Sequence, residues 1–311
     1  MSSETAPSFA FHSVCDLGRQ REKNEDSHGE FVFPDGSVLL LVADGMGGHG
    51  HGDVASQIAI RVISEVFQTT TGSDPRDRLH QGFVAANQQI IAEAERIGGT
   101  GMGTTCVAVY LQGDKAWVAH IGDSRIYHVR EGAVVWRTID HTRVQKMVEM
   151  GLLAAAAAKD HPDANVVTRA LGYAQLADGT VIEPDVRMEP LQLLPGDSLV
   201  LCSDGLYDDF EDPEISSALP GHTPEQAATA LVAEANNRGG HDNITCTVLT
   251  FGAQVASYNA ANRPTTIQTA VASPLAGRKI KKKSSNVAVL LLVLALVLAT
   301  TAVVVFLVTK K

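Results

Sequence analysis

Acidic residues are absent from position 253 onward, and cysteines are few and solitary throughout. The first absence divides the chain. Residues 1–252 hold all 35 Asp and Glu with 17 of the 25 Lys and Arg, a net −18, whereas the remainder holds eight basic residues, a net +8. So acidic a folded part argues against a nucleic-acid partner, because gripping a phosphate backbone needs a basic surface. It suits a cation-binding site, with a tail placed near anionic lipid. Cys15, Cys106, Cys202 and Cys246 show no C-x-x-C spacing and no His-rich neighbourhood. Buried free thiols are therefore favoured over disulfides, and a reducing compartment follows. The opening MSSETAPSFAFHS lacks the basic and apolar regions of a secretory signal, so none is expected. There is no internal repeat, no nucleophile elbow and no activated-cysteine signature, which argues against a protein nucleophile.

A hydrophobic content of 45% is enough for a substantial core. Residues 287–309 carry no charge and exceed the ~20 needed to span a bilayer as a helix. Five basic residues between Arg278 and Lys283 precede this run and Lys310 and Lys311 follow it, so its N-terminal side is expected in the cytoplasm. The organisation read from the sequence is a catalytic domain over 1–252, a flexible linker with a basic juxtamembrane segment over 253–285, a transmembrane helix over 286–309 and a short tail at 310–311. Within the domain, Asp74-Pro75 reads as a helix start, with Leu79, Phe83, Ile90, Ala94 and Ile97 at helical spacing. Thr223-Pro224-Glu225-Gln226 reads as a capping box, and 52–67 as helical. Strands are expected around 9–14, 37–43, 103–111, 115–121, 124–130, 133–138, 196–203 and 244–251. Many strands with few, grouped helices point to an α+β fold.

Four aspartates sit in short turn-like motifs: Asp44 in VADGMGGH, Asp123 in HIGDSRIY, Asp204 in LCSDGLYDD and Asp242 in GGHDNIT. The first three follow apolar strand-like runs and Asp242 precedes one. Carboxylates at strand ends beside glycines can meet at one sheet edge, and all-oxygen clusters select magnesium, manganese or calcium over zinc. Taken singly, each motif is an ordinary turn. Upstream, Arg21-Glu22-Lys23-Asn24-Glu25-Asp26 adds an arginine and further carboxylates.

In this order, and with Gly103-Thr104-Thr105 and Gly122-Asp123-Ser124-Arg125 between them, the motifs from about Phe9 to Phe251 resemble the bacterial protein phosphatase 2C family of metal-dependent serine/threonine phosphatases. The resemblance implies two antiparallel sheets packed face to face, helices outside, and metals in a cleft at one edge. It implies two manganese or magnesium ions sharing Asp44, with the Gly45 carbonyl as a ligand. Asp204 and Asp242 would complete the first ion's shell, Glu25 would act through water on the second, and Asp26 would support from outside. Asp123 corresponds to a position that holds a weaker third ion; the alternative is a turn carboxylate that orders its loop. Two cations so placed acidify a bridging water and hold it in line with phosphorus. Arg21 would clamp the phosphate, since a planar guanidinium can hold two phosphoryl oxygens; the alternative is a solvated arginine. Ser124 and Arg125 read as structural, and His12, His141 and His161 as surface or structural groups.

Two departures stand out. Met46 occupies the place of a histidine that many eukaryotic relatives have after the Asp-Gly pair, leaving metal-bound water, or less favourably His49, to protonate the leaving group. The segment after Asp140-His141-Thr142 resembles the family's mobile flap but carries a plain alanine run at 154–158. The expectation is a phosphatase on the cytoplasmic face of the inner membrane that removes phosphate from phosphoserine and phosphothreonine in proteins, opposing membrane serine/threonine kinases. The rivals are a narrow-substrate regulatory phosphatase, against which the short N-terminus speaks, and a catalytically silent phosphoprotein-binding module.

Overall fold

A computed structural model describes residues 9–47, 51–70, 72–98, 101–175 and 179–252. The segments 253–285, 286–309 and 310–311, and His49, lie outside the described residues. Among the described residues no helix is long and apolar enough to cross a membrane.

Strands β3 (Val38–Met46) and β11 (Ser198–Cys202) read as nearly unbroken apolar runs because both of their faces are buried. Side chains alternate along a strand, and β3 divides accordingly. Leu39, Leu41 and Ala43 pack with apolar residues of α1 (Gly52–Thr69) and α2 (Pro75–Ile97). Val38, Leu40 and Val42 join Leu199 and Leu201 of β11 in the core between the sheets. The other face of β11, Val200 and Cys202, packs with α4 (Asp204–Tyr207), α5 (Asp212–Ser217) and α6 (Pro224–Asn237). Four layers result, helices on sheet on sheet on helices, an α+β architecture with the face-to-face sheets and outer helices that the resemblance implies. Each fully buried leucine or valine contributes about 1.5–3 kcal/mol of hydrophobic stabilisation.

One sheet runs β1 (Phe9–Asp16), β12 (Ile244–Phe251), β11, β7 (Arg125–Arg130), β8 (Ala133–Arg137). The other runs β10 (Leu191–Gln192), β6 (Lys115–Ile121), β5 (Cys106–Gln112), β3, β2 (Asp26–Val32), with β4 (Gly103–Thr104) on β3 and β9 (Asp185–Val186) on β6. The pairings are antiparallel. Asp74 caps α2 by accepting from Arg76 N, and the Thr223–Gln226 capping box is formed at α6.

The sequence reading is corrected in several places. β2 was not expected, and it pairs Asp26 directly with Asp44. The strand expected at 103–111 breaks at Thr105 into β4 and β5. Asp44 lies inside β3 and not after it. The short elements α3 (Arg143–Glu149), α4, α5, β9 and β10 were also unforeseen.

Candidate active site

Register brings the aspartates to one edge. Cys202 pairs with Cys246 and with Arg125, so the ends of β11, β12 and β7 align. Asp204 follows β11, Asp242 precedes β12, and Asp123 precedes β7 at that same end. From the other sheet, Asp26 and Asp44 face one another across β2 and β3. The sheets are joined there by Asp26 Oδ2, which accepts from Ser203 Oγ and from Thr245 Oγ1, each at 2.7 Å.

Asp44 is held through its main chain. Its N–H donates to Thr105 Oγ1 at 3.1 Å, and its carbonyl accepts from Thr105 N at 2.9 Å and Thr104 Oγ1 at 2.8 Å. Gly45 follows where no side chain fits. A Cβ there would lie 2.1 Å from the Gly52 carbonyl oxygen and 2.5 Å from that of Glu25. This close passage brings Glu25, whose Oε1 accepts from Gly52 N at 3.2 Å, to the start of α1. Arg21 Nη2 donates to Asp242 Oδ2 at 2.5 Å with its side chain half exposed. Asn243 fixes the strand of chain that carries Arg21: its Nδ2 donates to Leu17 O at 2.9 Å and Lys23 O at 3.0 Å, and its Oδ1 accepts from Glu25 N at 2.8 Å.

The electrostatics are those of crowded, buried acids. Burial, and then Asp204, Asp26 and Asp123, push the Asp44 carboxyl well above its usual range. Burial and then Asp242 push Asp204 up to about 6. Burial raises Asp26 to about 6 against the pull of its hydroxyl donors, and Asp123 is raised by burial and then by Asp204. For Arg21, partial burial opposes the charge, but Asp242, and then Asp204 and Asp44, hold the guanidinium more firmly protonated. Asp26 Oδ1 and Asp204 Oδ1 are buried and lack a hydrogen-bond partner. Unpartnered buried carboxylate oxygens are costly, and several facing one another call for positive charge. An all-oxygen donor set of this kind fits hard divalent cations.

All eight residues expected at the site, Arg21, Glu25, Asp26, Asp44, Gly45, Asp123, Asp204 and Asp242, belong to this one end of the sandwich. Sequence reasoning missed Asp208, one helical turn beyond Asp204, whose carboxyl is pushed up to about 7 by burial and then by Asp204. Its signal was the second acid of LCSDGLYDD. Thr105, Ser203, Thr245 and Asn243 were missed as supports, although each lies within one of the motifs quoted from the sequence. Arg125 and Ser124 are structural: Arg125 forks onto Asp140 at 2.6 Å and lies 3.6 Å over the Tyr207 ring, and Ser124 Oγ lies 2.6 Å from Thr105 Oγ1.

A family model described as protein phosphatase 2C matches residues 18–239. The serine/threonine phosphatase Stp of Listeria welshimeri is 36% identical over 236 residues, covering 74% of this chain and 91% of that protein. The chain belongs to the protein phosphatase 2C family. The serine/threonine protein phosphatase PstP of Mycobacterium tuberculosis is 37% identical over 245 residues, 78% of this chain and 44% of that protein. Among solved structures, the Streptococcus agalactiae serine/threonine phosphatase is similar with a TM-score of 0.72 at 33% identity, over 78% of this chain and 99% of that one. The catalytic domain of PstP in complex with two manganese ions gives 0.66 at 33% identity, over 78% and 98%. Membership in the family makes the chain a serine/threonine protein phosphatase. Of the two departures noted in the sequence, Met46 ends β3 opposite Gly103, and the segment that resembles the family's flap carries a short 3₁₀ turn at Ala155–Ala157 after α3.

Proposed function

We propose that this chain hydrolyses phosphoserine and phosphothreonine in proteins by direct attack of water, at a site where Asp44, Asp204 and Asp242 would take one manganese or magnesium ion, Asp44 and, through water, Glu25 a second, and Asp123 with Asp204 a weaker third, with the Gly45 carbonyl as a further ligand. The observation that carries this reading is the meeting of Asp26, Asp44, Asp123, Asp204 and Asp242 at one edge, with two buried carboxylate oxygens unpartnered and a half-exposed arginine beside them. When bound, the cations supply positive charge and acidify the attacking water. Arg21 receives the phosphoryl oxygens, and its planar fork orients the group and stabilises equatorial charge in the transition state. Asp242 aims that fork through their hydrogen bond, and Asn243 holds the chain on either side of it. Asp26, tied to Ser203 and Thr245, keeps the two sheets in register beneath Asp44. Met46 has no proton to give, so the leaving oxygen takes its proton from water.

The setting proposed is the cytoplasmic face of the inner membrane, with 286–309 as the anchor and membrane serine/threonine kinases supplying the phosphoproteins. Its support is the uncharged run and its basic flank. A silent binding module would be marked by a lost aspartate or clamp arginine, and each is in place. The test is phosphate release by the full chain from a phosphothreonine peptide, a phosphotyrosine peptide and an aryl phosphate, with manganese, with magnesium and with chelator. Metal-dependent release favouring phosphothreonine is expected; no release from folded protein under any metal would sink the reading. Full-length protein recovered in the soluble fraction without detergent would sink the anchor.

A further inference from the structure

Beside the acidic cluster, His120 of β6, His141 and Asp185 of β9 bring their ligating atoms within 4.8 Å of one another. Hydrogen bonding rules out a cation there. Gly122 N donates to His141 Nδ1 at 3.0 Å, so the neutral ring carries its proton on Nε2 and donates it to Asp185 Oδ2 at 3.1 Å. The Arg169 guanidinium already balances Asp185, its Nη2 donating to Oδ1 at 2.7 Å; its Nη1, also a donor, lies 3.0 Å from His141 Nε2 and makes no hydrogen bond to that N–H.

His141 instead serves Gly122 twice. Its ring accepts from the Gly122 N–H at Nδ1, and its main-chain N–H donates to the Gly122 carbonyl at 2.9 Å. Gly122 has φ +96°, and a Cβ there would lie 2.6 Å from the Thr105 side chain. The turn bearing Asp123 is thus pressed against Thr105 on one side and bonded to residue 141 on the other. The His141 carbonyl accepts from Thr168 N at 2.7 Å and Thr168 Oγ1 at 2.9 Å, and the ring stacks on His120 with centroids 4.6 Å apart. Thr142 caps α3 and bridges to Val167. Residues 141 and 168 therefore close the base of the flap segment.

We propose that His141 is a positioning residue that fixes the Asp123 turn through both main-chain groups of Gly122 and ties that turn to the two ends of the flap segment. The role in turnover rests on the phosphatase reading given above.

Three full-length variants separate the ring's two bonds. His141→Asn keeps an acceptor near Nδ1 and loses the reach to Asp185. His141→Gln keeps a donor near Nε2 and loses the acceptor, and His141→Ala loses both. Deuterium exchange at the Gly122 amide should rise about 10-fold in the Gln and Ala chains and stay near wild type in the Asn chain. Manganese uptake without substrate, read by calorimetry, and kcat on a phosphothreonine peptide should each fall about 10–100-fold in Gln and Ala. KM should stay within about threefold, and Asn should recover most of kcat. The wild-type imidazole nitrogen-15 spectrum should show His141 as the Nε2–H tautomer, a readout that needs no variant to fold. Protonated Nδ1, an Asn chain as impaired as Gln, or wild-type behaviour in all three would overturn the proposal. If the wild-type chain releases no phosphate, the phosphatase reading fails, while exchange, tautomer and metal uptake still decide the role of His141.

Discussion

Asp204 shows how a single side chain can be costly to the fold and necessary to the chemistry. It is buried beside Asp242, Asp44 and Asp26 with one oxygen unpartnered, and its carboxyl is pushed up to about 6 by burial and then by Asp242. At pH 7.5 without metal it is ionised among like charges, a state that costs stability. Asp204→Asn keeps the shape and removes the charge. We expect this variant to lose metal-dependent phosphate release yet to melt higher than wild type in chelator, by about 2–4 °C for each kcal/mol of repulsion relieved. Unchanged activity would remove Asp204 from the site, and a lower melting point in chelator would show that its charge stabilises the metal-free fold. The four motif aspartates were legible because each sits beside glycine or asparagine in a recognisable turn. Their supports were not. Thr105, Ser203 and Thr245 act on Asp44 and Asp26 across 61, 177 and 219 positions of sequence, and a hydroxyl gives no local sign of the distant carboxylate it will meet.

At the scale of elements, legibility followed burial. β3 and β11 are covered on both faces and announce themselves as apolar runs. β2, with the sequence DSHGEFV, is an edge strand paired on one side to β3 and carries too many polar residues to show a period of two. It was missed although it delivers Asp26. Helices α3, α4 and α5 are too short for a 3.6-residue pattern to emerge. A tight junction lies where the end of β3 passes the start of α1 and the residue before β2. Gly45 is required there by backbone on two sides. Gly45→Ala places a methyl group against the Gly52 and Glu25 carbonyls, neither of which is the yielding end of a side chain, so strand and helix must part. The expected cost is about 1–3 kcal/mol in urea denaturation, with activity falling as Asp44 and Glu25 separate. An unchanged midpoint would mean that α1 can retreat freely from β3.

For the whole molecule, the acidic cluster makes stability a function of pH and metal together. Asp26 and Asp204 titrate near about 6 in the folded chain against an ordinary 3.8, and Asp44 and Asp123 are raised in the same sense. Between those values the folded state holds more protons than the unfolded one, so the stability these groups supply below 3.8 is lost as pH rises through about 6. His120 runs the other way: burial, and then His141, lower it to about 4, so its contribution is present above 6.5 and lost as pH falls through about 4. In chelator the two trends overlap and partly cancel, so a plain pH profile is ambiguous. The gain on adding manganese is not. Cations replace protons on the carboxylates but have no claim on the His120–His141–Asp185 group, where Arg169 already sits. A ligand at 100 times its Kd adds about 2.7 kcal/mol, and proton competition reduces that gain as the carboxylates protonate. The rise in melting temperature caused by a fixed manganese concentration should therefore be larger at pH 7.5 than at pH 5. An equal rise at both would mean that the ions bind away from these aspartates.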